Sequence, residues 1–329
     1  GLDIDQRMSD FYALGLGDPL PISSAHGQGV SALMENVLDD FPREDKDVDT
    51  ESGPVIAVIG RPNAGKSTLI NALLGEERVV VFDRPGTTRD SVKIPFNREG
   101  KDYTLIDTAG VRRRGKVDEK IEKFSVIKTL QAIDQANVVL MMLDARREIS
   151  DQDATLASYA IDQGKAMVVI VNKWDGLTPD KRTRIKDEID RKLVFLQFAE
   201  TLFISALHGT AVGNIFPAVE RAYEAAMKDL PTSFLTRILE KAVEKTPPPM
   251  TSGRRMKPKF AHQGGHNPPV IVIHGNQLDK LPGSYRRYLI NTFRKAGKLQ
   301  GTPIRLEFRA ASNPFEGRPS GSKRRRKRH

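Results

Sequence analysis

Residues 55–59 (VIAVI) form an unbroken apolar run that leads straight into Gly60-Arg-Pro-Asn-Ala-Gly-Lys-Ser67, after which Thr68-Leu-Ile-Asn-Ala-Leu-Leu74 returns to helical spacing. A buried strand, a turn bracketed by glycines and a helix start must therefore follow one another here. Such a turn lets successive backbone N–H groups converge, and the helix start adds the positive end of its dipole. The pattern implies a cradle for phosphate, with Gly60, Asn63, Ala64, Gly65, Lys66, Ser67 and Thr68 as candidate contacts. Lys66 would reach the β- and γ-phosphates, and the Ser67 hydroxyl would bind Mg²⁺. A glycine-rich turn with an incidental lysine is the bland alternative, disfavoured by the flanking elements.

The same alternation continues along the chain. Apolar runs at 54–59, 103–107, 137–143, 167–171 and 201–205 read as buried strands, and 118–134, 151–163 and 179–198 as helices. Strands and helices in turn predict an α/β fold, a mostly parallel sheet between helices. Beyond residue 230 the order becomes helix 232–245, strands 257–262 and 269–274, helix 284–296 and strand 304–309, a small α+β module.

Further signatures fall at strand ends. Asn172-Lys-Trp-Asp175 closes the run at 167–171, placing Asp175 to accept from the N1–H and the exocyclic amine of guanine, donors that adenine lacks on that edge. Lys173 would lie along the base and Asn172 would tie this loop to the phosphate turn. Ser205, Ala206 and Leu207 would offer backbone N–H groups to guanine O6. Alone, the quartet fits a surface loop; downstream of a phosphate turn it specifies a base. Asp107-Thr-Ala-Gly110 follows the run at 103–107, so Asp107 would reach Mg²⁺ and the Gly110 N–H would sense the γ-phosphate. Thr88, within Gly86-Thr-Thr-Arg-Asp90, would join the metal, and Lys66, Asn63, Thr88 and Gly110 are the candidates for the chemical step.

The charge is divided. Residues 231–329 carry 22 Lys and Arg against 5 Asp and Glu, net +17, while residues 1–230 are net −7, so a polyanion partner is expected for the second part. Part of that excess is the run 323–328 (KRRRKR), which alone reads as a solvated tail. With no cysteine in the chain, disulfides, thiolate metal sites and thiol catalysis are excluded. The longest apolar run, 138–143, is far short of the roughly 18 residues of a membrane span, and no signal segment opens the chain, so a cytoplasmic protein is expected.

An internal likeness between 21–38 and 202–219, each a short strand, Ser-Ala, a turn and an amphipathic stretch, suggests that 1–42 is the last piece of a preceding copy of the same domain. The expected layout is that remnant at 1–42, an acidic linker at 43–53, a complete nucleotide domain at 54–229, the basic module at 231–316 and a disordered tail at 317–329.

Arg-Pro-Asn in the phosphate turn, GTTRD, DTAGVRRRGKV, NKWDG and a small basic terminal module together resemble the bacterial EngA/Der tandem GTPases, relatives of the Era and tRNA-modification GTPases. The resemblance implies a P-loop GTPase domain with a KH-like domain after it, GTP hydrolysis to GDP, and work in assembling the large ribosomal subunit through its rRNA. It also implies K⁺ held near the β- and γ-phosphates by Asn63, with backbone carbonyls from the loop at Phe82 and Arg84, because Val111 stands where a water-orienting Gln would be expected. Arg112, Arg113 and Arg114 read as solvated or RNA-facing.

The KH-like module lacks the expected G-x-x-G loop, since Gly297-Lys-Leu-Gln-Gly301 has the wrong spacing and follows the later helix. Phosphate contacts, or packing against a GTPase domain, are expected instead from Arg254, Arg255, Lys257, Lys259, Arg286, Arg287, Arg294, Lys295 and Lys298. His262, His266 and His274 are spaced too irregularly for a metal site, and Trp174 reads as a packing residue. A monomer that binds no DNA is expected. The competing readings are a nucleotide-sensing rRNA scaffold with negligible turnover and a tRNA-modification GTPase.

Overall fold

The structure, a computed structural model, describes residues 22, 33, 53–75, 79–81, 92–107, 122–251 and 254–310. The chain divides into two units, Gly1–Thr50 and Glu51–His329, and every element below belongs to the second. Apart from Ile22 and Leu33, the expected remnant at 1–42 lies outside the described residues, as do most of the linker, residues 311–316 of the expected basic module and the expected tail at 317–329.

The strands β1 (Val55–Ile59), β2 (Val79–Val81), β3 (Val92–Arg98), β4 (Lys101–Asp107), β5 (Val138–Asp144), β6 (Ala166–Asn172) and β7 (Glu200–Phe203) form one sheet in the order β2-β3-β4-β1-β5-β6-β7. From β4 to β7 all pairs are parallel; β2–β3 and β3–β4 are antiparallel. β1 shows why the sheet is covered on both sides. Ile56 and Val58 join the core on one face, with Leu69, Ile70 and Phe216, whereas Val55, Ala57 and Ile59 join the core on the other, with Ile133 and Ala157.

The covering helices are α1 (Lys66–Leu74), α2 (Glu122–Gln135), α3 (Asp151–Asp162), α4 (Pro179–Lys192) and α5 (Ile215–Met227). Each boundary has a local cause. At the start of α3, Ser150 and Asp153 form a capping box, satisfying two otherwise orphaned N–H groups. In α4, Pro179 occupies the first turn, where its missing N–H costs nothing, and Arg191 and Lys192 lie in the last turn against the negative dipole end. The helix expected over 179–198 thus stops at Lys192, and a 3-10 turn, Val194–Leu196, follows.

The antiparallel strands β2 and β3 were not expected from the sequence. Pro95 interrupts the β3 run, which reads against a strand, yet Ile94 and Phe96 point to the core and Phe96 stacks on Tyr103 of β4 at 5.3 Å. Burial of that aromatic pair, closed from the side by Phe216, outweighs the lost ladder bond.

After α6 (Thr232–Lys245) comes a two-stranded ribbon, β8 (Met250–Thr251) and β9 (Arg254–Arg255). The strands β10 (Lys257–Gly265), β11 (Val270–Asn276) and β12 (Arg305–Ala310) make a second sheet in that order, with α7 (Gly283–Gly297) between β11 and β12. Tyr285, Leu289 and Phe293 recur every four residues on α7 and are buried with Leu235 and Leu239 of α6, Ala261 of β10 and Ile271 and Ile273 of β11.

This module is seated against the larger sheet. Gly301 donates its N–H to Phe198 O and accepts from the Met167 N–H, both at 2.7 Å, while Asn267 N donates to Ala226 O at 3.0 Å. Arg305 donates to Asp162 O at the end of α3, and Lys228 Nζ donates to Gly297 O at 3.0 Å. Gly301 has φ 82°, and a Cβ there would lie 2.6 Å from Cβ of Ala222, so the seam requires glycine on both counts.

Candidate functional site

The carboxyl ends of β1, β4, β6 and β7 carry the residues singled out by the motifs, as expected for a site at strand ends of a parallel sheet. Gly65, with φ 105°, closes the turn after β1; a Cβ on it would meet Asn172 Nδ2 at 2.2 Å. Only glycine therefore lets the phosphate turn pass against β6. Asn63 also has positive φ, 64°, which asparagine tolerates better than most side chains.

Lys66 folds over the turn, its Nζ donating to Gly60 O at 2.8 Å and Arg61 O at 2.9 Å, and burial pulls its ammonium below the usual lysine range. Ser67 and Thr68 occupy the first turn of α1 and are exposed. Asp107 ends β4, whose Ile106 is in register with Ala57 of the neighbouring β1, so it stands at the same end of the sheet as the turn. Thr88, Gly110, Phe82, Arg84 and Val111–Arg114 lie outside the described residues.

Asn172 joins the two halves of the site. Its Nδ2 donates to Ala64 O at 2.8 Å, and its Oδ1 accepts from Ala206 N at 2.9 Å, both buried. Lys173, in the left-handed region at φ 63°, reaches back so that Nζ donates to Asn63 O at 2.7 Å and to Asp144 Oδ2 at 2.6 Å. Asp175 faces outward. Its Oδ2 lies 3.2 Å from Arg146 Nη2 and 3.7 Å from His208 Nε2. The Ser205 hydroxyl, then Arg146 and His208, hold its carboxyl below the usual aspartate range.

One expectation changes. Of the three N–H groups assigned to guanine O6, Ser205 N donates to Thr210 O at 3.1 Å and Ala206 N to Asn172 Oδ1. The loop's own hydrogen bonds take both. Ser205 Oγ is buried without a partner of regular hydrogen-bond geometry, beside Asp175. A hydroxyl beside a carboxylate fits a ligand edge carrying donors and acceptors, as guanine does. Ser67 and Asp107 offer only oxygen donors, the set that suits Mg²⁺.

The sequence reading missed three residues. Asp144, the last residue of β5, and Arg146, just past it, brace Lys173 and Asp175; the signal was an acidic residue closing an apolar run, as at Asp107. Asp153 holds Arg61 of the phosphate turn from the cap of α3. Other residues are placed differently from expectation. Arg294 is not an open phosphate contact, because its guanidinium lies over Phe198 at 5.2 Å and is largely buried. His266 pairs with Asp229 at 2.8 Å, an acidic partner not foreseen. Trp174, by contrast, is the packing residue expected, with its ring on Phe203 at 4.3 Å.

A strand, phosphate turn and helix, joined by a buried Asn to an NKWD loop and a Ser-Ala-Leu loop, define a P-loop GTPase, here with a second small α+β module. Residues 55–173 match the family described as 50S ribosome-binding GTPase, and 230–309 match the KH-domain-like C-terminal domain of EngA bacterial GTPases. GTPase Der of Psychrobacter sp. (strain PRwf-1) is 56% identical over 97% of this chain, and GTPase Der of Thioalkalivibrio sulfidiphilus (strain HL-EbGR7) is 59% identical over 97%. The matches cover 67% and 69% of those two proteins, so the chain spans about two thirds of their length. The chain belongs to the GTPase Der family, and its activity is hydrolysis of GTP.

Proposed function

We propose that this chain is a GTP-controlled switch in assembly of the large ribosomal subunit, whose basic terminal module contacts rRNA. The observation that carries the switch is the pair of hydrogen bonds made by the Asn172 amide, which ties the phosphate turn and the base loop into one frame, so that base and phosphates are sensed together. The description of the matched family as ribosome-binding and the net charge of +17 over residues 231–329 support the partner.

Within this frame each side chain has a task. Asp175 accepts from guanine N1–H and the exocyclic amine, the Leu207 N–H faces O6, and Lys173 lies beside the base. Gly65 and its neighbours direct N–H groups at the phosphates, and Lys66 exchanges its bonds to Gly60 and Arg61 for phosphate oxygens. Mg²⁺ held by Ser67, Asp107 and Thr88 supplies neutralisation of charge on the β- and γ-phosphates. Asn63 would hold K⁺ together with backbone carbonyls, the role that the family resemblance implies given Val111 in place of a Gln after Gly110. The protein acts as a cytoplasmic monomer.

Co-sedimentation with purified large ribosomal subunits tests this reading, with GDP, a non-hydrolysable GTP analogue or no nucleotide, across several salt concentrations. Salt-sensitive binding that changes with nucleotide is expected. Binding indifferent to nucleotide, with no turnover above background in Mg²⁺ and K⁺, would make the chain a scaffold instead.

A further inference from the structure

The residues that nucleotide binding leaves unused gather on the outer face of the terminal sheet. Ala261, Ile271, Ile273, Leu306 and Phe308 face α6 and α7 in the core. The alternate residues face away. The register sets Phe260 of β10 opposite His274 of β11, and His274 opposite Arg309 of β12, so one row crosses all three strands. The Phe260 and His274 rings are nearly parallel, 6° apart with centroids at 4.4 Å, and His262 extends the group at 5.1 Å from His274.

Three features of this row point to a ligand. Phe260 is 41% exposed in the middle of a strand, where a stack of rings buries little of itself. His274 Nε2 is buried with no partner. The charges around the rings are mostly cationic: Arg309, its side chain 61% exposed, and exposed Lys257 and Lys259, against Glu307, which Arg309 meets at 3.4 Å. An apolar protein partner would need a broader apolar patch than one phenyl ring and two imidazoles. Flat rings in a row with cations at both ends match unpaired bases with their phosphates. The other end of the face is closed, since Arg305 is engaged with Asp162 O of α3.

We propose that this face is a stacking platform for single-stranded RNA. Phe260 takes one base, the imidazoles of His274 and His262 extend the stack, and Arg309, Lys257 and Lys259 take phosphates. The proposal rests on the reading that the terminal module contacts RNA, and names the surface that does so in place of the missing G-x-x-G loop.

The test is fluorescence anisotropy of labelled ten-nucleotide oligouridine and oligoadenosine, and of a duplex of equal length, on the full chain at several salt concentrations. Single strands should bind more tightly than the duplex. Phe260→Ala should weaken them by about 5- to 100-fold with an unchanged salt slope, whereas Arg309→Ala should lower the slope by about one. Phe260→Trp should retain affinity and show emission quenched by RNA. Because Phe260 lies outside the core, Phe260→Ala should melt as the unaltered chain does.

A folded Phe260→Ala variant with unchanged affinity overturns the proposal, as does equal binding of duplex and single strand. A dimer in sedimentation that Phe260→Ala dissolves, with RNA binding untouched, would assign the face to a second copy and overturn it too. Sedimentation with large subunits separates the two readings. If Phe260-dependent oligonucleotide binding persists without subunit binding, the platform stands and the ribosomal reading falls. If subunits bind but Phe260→Ala changes neither measurement, the platform alone falls.

Discussion

Arg61 Nε lies 2.8 Å from Asp153 Oδ2, so the phosphate turn is anchored to the cap of α3 by a carboxylate that is 1% exposed. The second guanidinium contact, Arg61 Nη2 to Glu148 O at 2.6 Å, fixes the same arm. Asp153→Ala removes the capping box and leaves Arg61 without its ion pair. It should cost about 2–4 kcal/mol in urea unfolding and weaken GDP binding, because the turn loses its outer support. Full stability in that variant would show that the pair is incidental.

Asp175→Asn replaces two acceptors by one acceptor and one donor. GDP affinity should fall by about 100-fold or more, while xanthosine diphosphate, whose 2-oxo group accepts from the new amide, should gain. Equilibrium titration with both nucleotides decides it; unchanged preference would detach Asp175 from the base.

Asn63 bears on the cation. GTP turnover should rise with K⁺ and not with Na⁺, by about 10-fold or more if K⁺ stabilises the charge of the transition state. Asn63→Ala should abolish that stimulation while GDP still binds. Equal rates in the two salts would remove K⁺ from the mechanism.

His274 predicts a pH effect on the terminal module. Burial first, then His262 of β10 and Arg309 of β12, push its imidazole below the usual histidine range, with Glu307 of β12 the nearby acid. The unfolded chain therefore takes up the proton at higher pH than the native state does. Stability should fall as pH drops below the ordinary histidine value of about 6.5, until the native imidazole itself is protonated. Thermal unfolding between pH 7 and 5 should show a steeper decline for the unaltered chain than for His274→Gln.

Tyr103, 3% exposed, donates its hydroxyl to Glu220 Oε1 at 2.5 Å and so ties β4 to α5. Burial and that bond push the phenol up, so it stays a neutral donor at working pH. Tyr103→Phe keeps the stack with Phe96 and Phe216 but loses the bond. The expected cost is about 1–2 kcal/mol in denaturant unfolding, because Glu220 retains Lys101 at 2.6 Å.

The site was legible where backbone geometry dictates residue type. Gly65 is required by the close pass of Asn172, and Asn172 by the two loops it bridges, so both appear as motif letters. Asp144, Arg146 and Asp153 were hidden because they act on other side chains over long sequence separations, where no spacing rule applies. In the fold, the buried parallel strands and the two helices and three longer strands of the terminal module were readable from apolar periodicity, while the short β8–β9 ribbon was not. Nor was β3, since Pro95 interrupts its pattern and its place in the sheet comes from Phe96 packing on Tyr103 of β4 and Phe216 of α5.

Gly301 bonds to Phe198 and Met167 on the β6–β7 side of the larger sheet, while β3 and β4, which border segments 82–91 and 108–121, lie across β1 from it. The terminal module is thus mounted on the half of the sheet that carries Asn172 and the Asp175 loop, across β1 from β3 and β4. Held to that side by backbone bonds at Gly301 and Asn267, it is a fixed mount, so a ligand gripped by it would keep one position relative to β6 and β7.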